Sequence, residues 1–235
     1  MHAAVLALTI SVAASLSDVV GDLVKRYEAA GGGPVRINAG GSGALARQIA
    51  EGAPVDLFIS ADEAQMAVAA KSGRIIPGTQ VTLLTNQLVV IVPKAGASVV
   101  SQPRDLAAPS VKRVAMGNPE SVPAGVYGRQ WLEKLGLWRS IEPKVVPMST
   151  VRAAFAAVRE GRADAAIVYA TDTRATPDVR VVYTVAAGEG PPIAYPAALV
   201  RGPREAEARR FLAYLQAAEA RAIFEAAGFG VGAHR

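Results

Sequence analysis

What most limits the fold of this chain is an alternation between short apolar runs and segments whose apolar residues recur every three or four positions. Short runs rich in Val, Ile, Leu and Ala fit strands buried on both faces, and the periodic segments fit helices that cover such strands. Repeated from end to end, the two patterns make α/β units with a mostly parallel sheet. Strands are expected at 5–12, 35–38, 55–60, 87–92, 113–116, 144–147, 165–169, 179–184 and 193–200.

Helix starts lie between them. Ser15-Leu16-Ser17-Asp18 and Ser60-Ala61-Asp62-Glu63 both have capping-box spacing. Pro123 suits a first helical position, and Ser149-Thr150 precedes the periodic Val151, Phe155 and Val158. Helix ends are expected near Gly31, Gly73, Gly136 and Gly161, and one last helical stretch runs from about Arg204 to Ala227.

Two extended stretches, 83–86 and 191–195, can carry the chain out of a first lobe and back. That predicts lobe 1 at 1–83 and 195–235, lobe 2 at 84–194, and a ligand cleft between lobes that closes by hinge motion. A single doubly wound sheet fits the same pattern nearly as well.

The chain has 235 residues, no cysteine, and histidine only at His2 and His234. Thiol catalysis, iron–sulfur clusters and Cys-containing zinc sites are excluded, and the interior of the sequence has no imidazole for base or metal chemistry. A formal charge of +5 is carried by scattered Lys and Arg, a pattern that solvates a surface and at most steers a small anion. The apolar opening from Ala3 to Ala14 is unlike a signal peptide in that no Lys or Arg precedes it, and it reads as a first buried strand. The chain is then either cytoplasmic or a mature exported protein without its leader. No apolar span has transmembrane length.

Four helix starts directly after strands are built of small or hydroxyl residues: Ser15-Leu16-Ser17, Gly40-Gly41-Ser42-Gly43-Ala44, Val122-Pro123-Ala124-Gly125 and Ser149-Thr150-Val151. Helix starts carry N–H groups without intrahelical partners and a partial positive charge, so several of them facing one ligand would hold an anion without Lys or Arg. The same residues also serve simply as caps. Tyr169 ends an apolar strand, where a phenol can face the crevice at a sheet's carboxyl edge.

The glycine-rich loop lacks the Gly-Lys-Ser/Thr ending of a P-loop. It approaches a nucleophile elbow except for Ala44, and chain order would permit a hydrolase triad of Ser42, Asp164 or Asp172, and His234. Asp56, Asp62 and Glu63 form the closest acidic cluster and read as structural, with Glu63 in a capping role.

Five blocks carry a more specific likeness: Val12 to Leu16, Gly41 to Ile49, Gly52 to Asp62, Asn118 to Tyr127, and Ile167 to Tyr169. In collinear order from about Leu6 to Phe229, the chain resembles the periplasmic molybdate-binding proteins of bacterial ABC transporters. The resemblance implies a two-lobe, type II periplasmic-binding-protein fold, each lobe a mostly parallel sheet flanked by helices, joined by two hinge strands. It implies a non-enzymatic receptor for molybdate and tungstate without a cofactor, whose partner is a membrane permease and which is a periplasmic monomer that binds no nucleic acid. Carried over by position, Ser15 and Ser42 would offer hydroxyl and backbone donors, Ala124 and Val151 backbone N–H groups, and Tyr169 its hydroxyl. The metal is then held only through its oxygens, with no direct metal-ion ligand. One departure is that Gly41 and Gly43 flank Ser42 where family members often carry further serines. Arg47 and Arg152 lie near these positions and are expected to stay out of contact. The alternatives are a receptor for another small anion such as sulfate, and the serine hydrolase using Ser42.

Overall fold

The computed structural model describes residues 7–95, 99–175 and 177–231. His2, His234 and the first two residues of the expected strand at 5–12 lie outside the described residues. In chain order the elements are β1 (Leu8–Ala13), α1 (Ser17–Ala29), β2 (Val35–Gly40), α2 (Ser42–Ala50), β3 (Leu57–Ile59), α3 (Glu63–Lys71), β4 (Val81–Asn86) and β5 (Leu88–Pro93). They continue with β6 (Val114–Gly117), α4 (Pro123–Lys134), α5 (Trp138–Ile141), β7 (Val145–Met148), α6 (Val151–Arg159) and β8 (Ala165–Tyr169). The last are β9 (Val179–Thr184), β10 (Ile193–Leu199), α7 (Glu205–Gln216), α8 (Ala218–Ala226) and β11 (Gly230–Val231).

The chain divides into two compact units, Met1–Thr85 with Ala194–Arg235, and Asn86–Ile193. The first contains a six-stranded sheet in the order β11-β4-β10-β3-β1-β2. β1 pairs parallel with β2 and β3, whereas β10 meets β3 and β11 meets β4 antiparallel. Ile10, Val12, Leu57, Phe58 and Ile59 are buried in its centre. Leu45, Ile49, Met66 and Ala69, from α2 and α3, pack in one cluster with Phe58 and Ala198. Tyr27 of α1 meets the ring of Phe211 in α7 edge-on at 5.0 Å.

The second unit holds a five-stranded sheet, β7-β6-β8-β5-β9. β6 pairs parallel with β7 and β8, while β5 runs antiparallel to β8 and β9. β6 and β8 are buried along their whole length, as are Leu88 to Val92 of β5, which is why these strands read as unbroken apolar runs.

Both units therefore repeat one plan, a central strand, a helix, a strand on one side, a helix, and a strand on the other side. The parallel order expected from the sequence covers these three strands in each sheet, and the remaining strands make both sheets mixed. The stretch 83–86, expected as an extended crossing, belongs to β4, and the division between the units falls within it, after Thr85. The single helix expected from Arg204 to Ala227 is two helices, broken at Ala217, whose backbone is extended with ψ 157°.

Candidate functional site

In the first unit, β1, β2 and β3 lie side by side and parallel, so the segments that follow them emerge at one edge of the sheet. Crevices at the carboxyl edge, where strand order reverses, are where open α/β sheets bind ligands. Ser15 follows β1 in a 3₁₀ turn, Ala14–Leu16, and does not cap α1. The tight turn draws its side chain inward, to 3% exposure, where its Oγ lies 3.1 Å from the Tyr195 hydroxyl. The capping box read at Ser15–Asp18 is thus not formed; Ser17 donates its hydroxyl to the Ala14 carbonyl at 2.9 Å.

Ser42 follows β2 as the first residue of α2, with Gly41 at the cap. The Gly41 carbonyl accepts from the N–H groups of Ala44 and Leu45, so Ser42 and Gly43 supply the donors that precede the helical ladder. The Ser42 Oγ, 1% exposed as a residue, accepts from the Ala61 N–H at 3.0 Å. That bond occupies an acceptor position of the hydroxyl and leaves its proton to be given elsewhere.

After β3, the helix cap is Asp62 rather than Ser60, because the Asp62 carboxylate reaches the Gln65 N–H at 2.8 Å. Ser60 Oγ accepts from the Asp62 N–H at 3.2 Å. Glu63 takes no capping role: its carboxylate accepts from Gln80 Nε2 at 2.7 Å. Burial pushes the Asp62 carboxyl above its ordinary pKa, partly offset by the hydrogen bond from Gln65. Asp56 is structural, accepting from the Thr9 N–H at 2.8 Å and pairing with Arg204 at 3.1 Å.

The second unit gathers Ala124, Val151 and Tyr169 in the same manner, at the carboxyl ends of the adjacent strands β6, β7 and β8. In α4, Pro123 has no N–H, and the N–H groups of Gly125 and Val126 turn back to the Val122 carbonyl. Of the first-turn donors, Ala124 is the one not turned onto that carbonyl. This turn sits hard against the strand before it: a Cβ added to Gly125 would lie 1.9 Å from the Gly117 carbonyl oxygen. Only glycine allows so close a backbone approach.

At α6 the Thr150 Oγ1 accepts from the Ala153 N–H at 3.1 Å, and the Thr150 carbonyl accepts from Ala154. The cap leaves the N–H of Val151, the first helical residue, out of its bonding. Tyr169, 1% exposed, ends β8, and its N–H donates to Asp172 Oδ2 at 3.1 Å. Asp172, itself buried, also pairs with Arg152 Nε at 3.1 Å. One carboxylate thereby ties the strand end bearing Tyr169 to the helix start bearing Val151.

Sequence reasoning missed Tyr195 and this role of Asp172. Tyr195 lies in an apolar crossing with no motif around it, and Arg152 beside Val151 was the one hint of a buried acid nearby. The hydrolase triad finds no support in the geometry. Ser42 is held by a backbone N–H, Asp172 is engaged with Tyr169 and Arg152, and Asp164 accepts from the N–H groups of Lys112 and Arg113 at 2.8 Å each. Among the described residues no three His, Cys, Asp or Glu side chains are grouped to hold a metal ion, and no helix is long and apolar enough to cross a membrane.

Comparison with known proteins bears on what these edges serve. The molybdate-binding protein ModA of Escherichia coli is 38% identical over 228 residues, which is 95% of this chain and 89% of that protein. A putative ABC transporter substrate-binding lipoprotein of Bacillus subtilis, YvgL, is 39% identical over 94% of this chain and 85% of its own length. The structure of the periplasmic molybdate-binding protein of Azotobacter vinelandii superimposes with a TM-score of 0.86 at 26% identity, covering 96% of this chain and all of that one. The family model for bacterial extracellular solute-binding proteins matches residues 8–230. With nearly its whole described length inside that model, the chain belongs to the bacterial extracellular solute-binding proteins, a family of receptors rather than enzymes.

Proposed function

We propose that this protein captures molybdate, and tungstate comparably, and delivers it to the membrane permease of an ABC importer from a periplasmic location. Ser15, Ser42, Ala124, Val151 and Tyr169 serve one oxyanion in this reading. The observation that carries it is that each unit presents, at the carboxyl edge of three parallel strands, buried neutral donors at helix starts or a strand end. The name of the relative at 38% identity specifies molybdate binding, and that of the relative at 39% specifies substrate binding for an ABC transporter, which supports the reading.

The chemistry suits a dianion. Hydrogen bonds to a charged group are worth roughly 1.5–3 kcal/mol each, and several of them offset its dehydration. A set made only of donors gives the proton of a hydrogen phosphate no acceptor, so that ion is rejected, and cavity size separates molybdate from the smaller sulfate.

Thermal unfolding with added anions tests this. Molybdate or tungstate at 100 times its dissociation constant adds about 2.7 kcal/mol of stability and raises the melting temperature. Phosphate and sulfate at equal concentration give much smaller shifts. No shift with molybdate or tungstate refutes the proposal, and a larger shift with sulfate reassigns the ligand.

A further inference from the structure

Tyr195 is fully buried, at 0% exposure, and its hydroxyl lies 3.1 Å from the Oγ of Ser15, a residue 180 positions away in sequence. Its ring is held in place by an edge contact with Phe229 at 5.6 Å between centroids. Two hydroxyls can share a hydrogen bond in either sense. A phenol is by far the more acidic of the two, with a pKa near 10, so the favoured sense has Tyr195 donating and Ser15 accepting.

The consequence falls on the one proton of Ser15. A serine hydroxyl has one proton to give and two lone pairs with which to receive. When Ser15 accepts from Tyr195, one of its lone pairs is taken, its proton is not spent on Tyr195, and its O–H is polarised for donation. Ser42 is held in the same state by a different group, since its Oγ accepts from the Ala61 N–H at 3.0 Å. In both serines the inward bond takes a lone pair and spares the proton, with backbone as the donor in one and a tyrosine in the other.

We propose that Tyr195 is a positioning residue for oxyanion recognition, acting through Ser15 to keep that hydroxyl a donor. The proposal rests on the molybdate reading above. It gives Tyr195 no contact with the ligand and predicts that its whole effect on affinity passes through Ser15.

A double-mutant cycle with molybdate titrated by calorimetry tests it, using the wild type, Tyr195→Phe, Ser15→Ala and the double variant. Tyr195→Phe keeps the ring and its packing on Phe229, and its affinity falls about ten-fold, the scale of one hydrogen bond to a charged group. In the Ser15→Ala background the same substitution changes affinity less than two-fold, about the scatter of additive changes. Unchanged affinity in Tyr195→Phe, or an equal loss in both backgrounds, overturns the inference. If Tyr195→Phe fails to fold, 3-fluorotyrosine at position 195 decides. It is a stronger donor of nearly the same shape and should tighten binding, and unchanged or weaker binding overturns the inference. A wild type that binds no molybdate overturns the reading itself and this inference with it. A wild type that binds beside a silent Tyr195→Phe overturns the inference alone.

Discussion

The two units share one plan of strands and helices, but their proposed donors differ in kind. In the first, Ser15 and Ser42 are side-chain hydroxyls, each fixed by a neighbour inside the unit. In the second, the proposed donors are the backbone N–H groups of Ala124 and Val151, beside the glycine contact at Gly125 and the cap at Thr150, and only Tyr169 would bring a side chain. A hydroxyl donor can be deleted by substitution, whereas a backbone donor can only be displaced. Mutations in the two units should therefore fail in different ways.

The largest effect is expected from Gly125→Ala. The new methyl would meet the Gly117 carbonyl oxygen at 1.9 Å, backbone against backbone, so the first turn of α4 must move. Overpacking of this kind costs about 3 kcal/mol, and displacing Ala124 should also abolish tight molybdate binding. Chemical denaturation with and without molybdate measures both, and a fully stable variant that binds normally would mean that α4 is not positioned by this contact.

Ser42→Ala comes next. It removes a proposed donor to the anion and orphans the buried Ala61 N–H, so stability falls by about 1–3 kcal/mol and affinity by roughly 10- to 100-fold. Titration calorimetry and denaturant melts separate the two losses. Loss of stability without loss of affinity would assign Ser42 to the scaffold alone.

Tyr169→Phe should weaken binding about ten-fold. Its backbone bond to Asp172 survives the substitution. Unchanged affinity would place the Tyr169 hydroxyl outside recognition and leave the second unit with backbone donors only.

The smallest effect concerns Asp62, the cap of α3 in the first unit. Burial raises its carboxyl pKa above the ordinary 3.8, so the folded state holds that proton more tightly than the unfolded chain does. Its contribution is full in acid and is lost as pH rises through the folded value. Asp62→Asn keeps a capping oxygen and should melt slightly higher than the wild type at neutral pH, with the gain fading as pH falls through the folded value and gone below the ordinary 3.8. A lower melting temperature at neutral pH would show that the charged carboxylate stabilises the cap.

Much of this was legible because periodicity reports burial. The strand at 165–169 matches β8 and the strand at 179–184 matches β9, residue for residue, and Pro123 and Thr150 stand at their helix starts as their backbone chemistry requires. What was not legible has tertiary causes. The 3₁₀ turn at Ser15 competes with a capping box of equal local merit, and only burial beside Tyr195 decides between them. Asp62 and Ser60 are both good caps, and the choice rests on reach to the Gln65 N–H. The helix break at Ala217 lies among alanines and glutamine, with no glycine or proline to mark it. β4 and β11 pair with strands far away in sequence, which short windows do not register. Tyr195 and Asp172 acquire their roles only through partners brought to them by the fold.

The most direct measurement is the anomalous scattering of molybdenum in crystals of this protein grown with molybdate. The proposal predicts one molybdenum peak per chain, with its oxygens about 2.7–2.9 Å from donors of Ser15, Ser42, Ala124, Val151 and Tyr169. A peak held by other residues, or none at saturating molybdate, would contradict it.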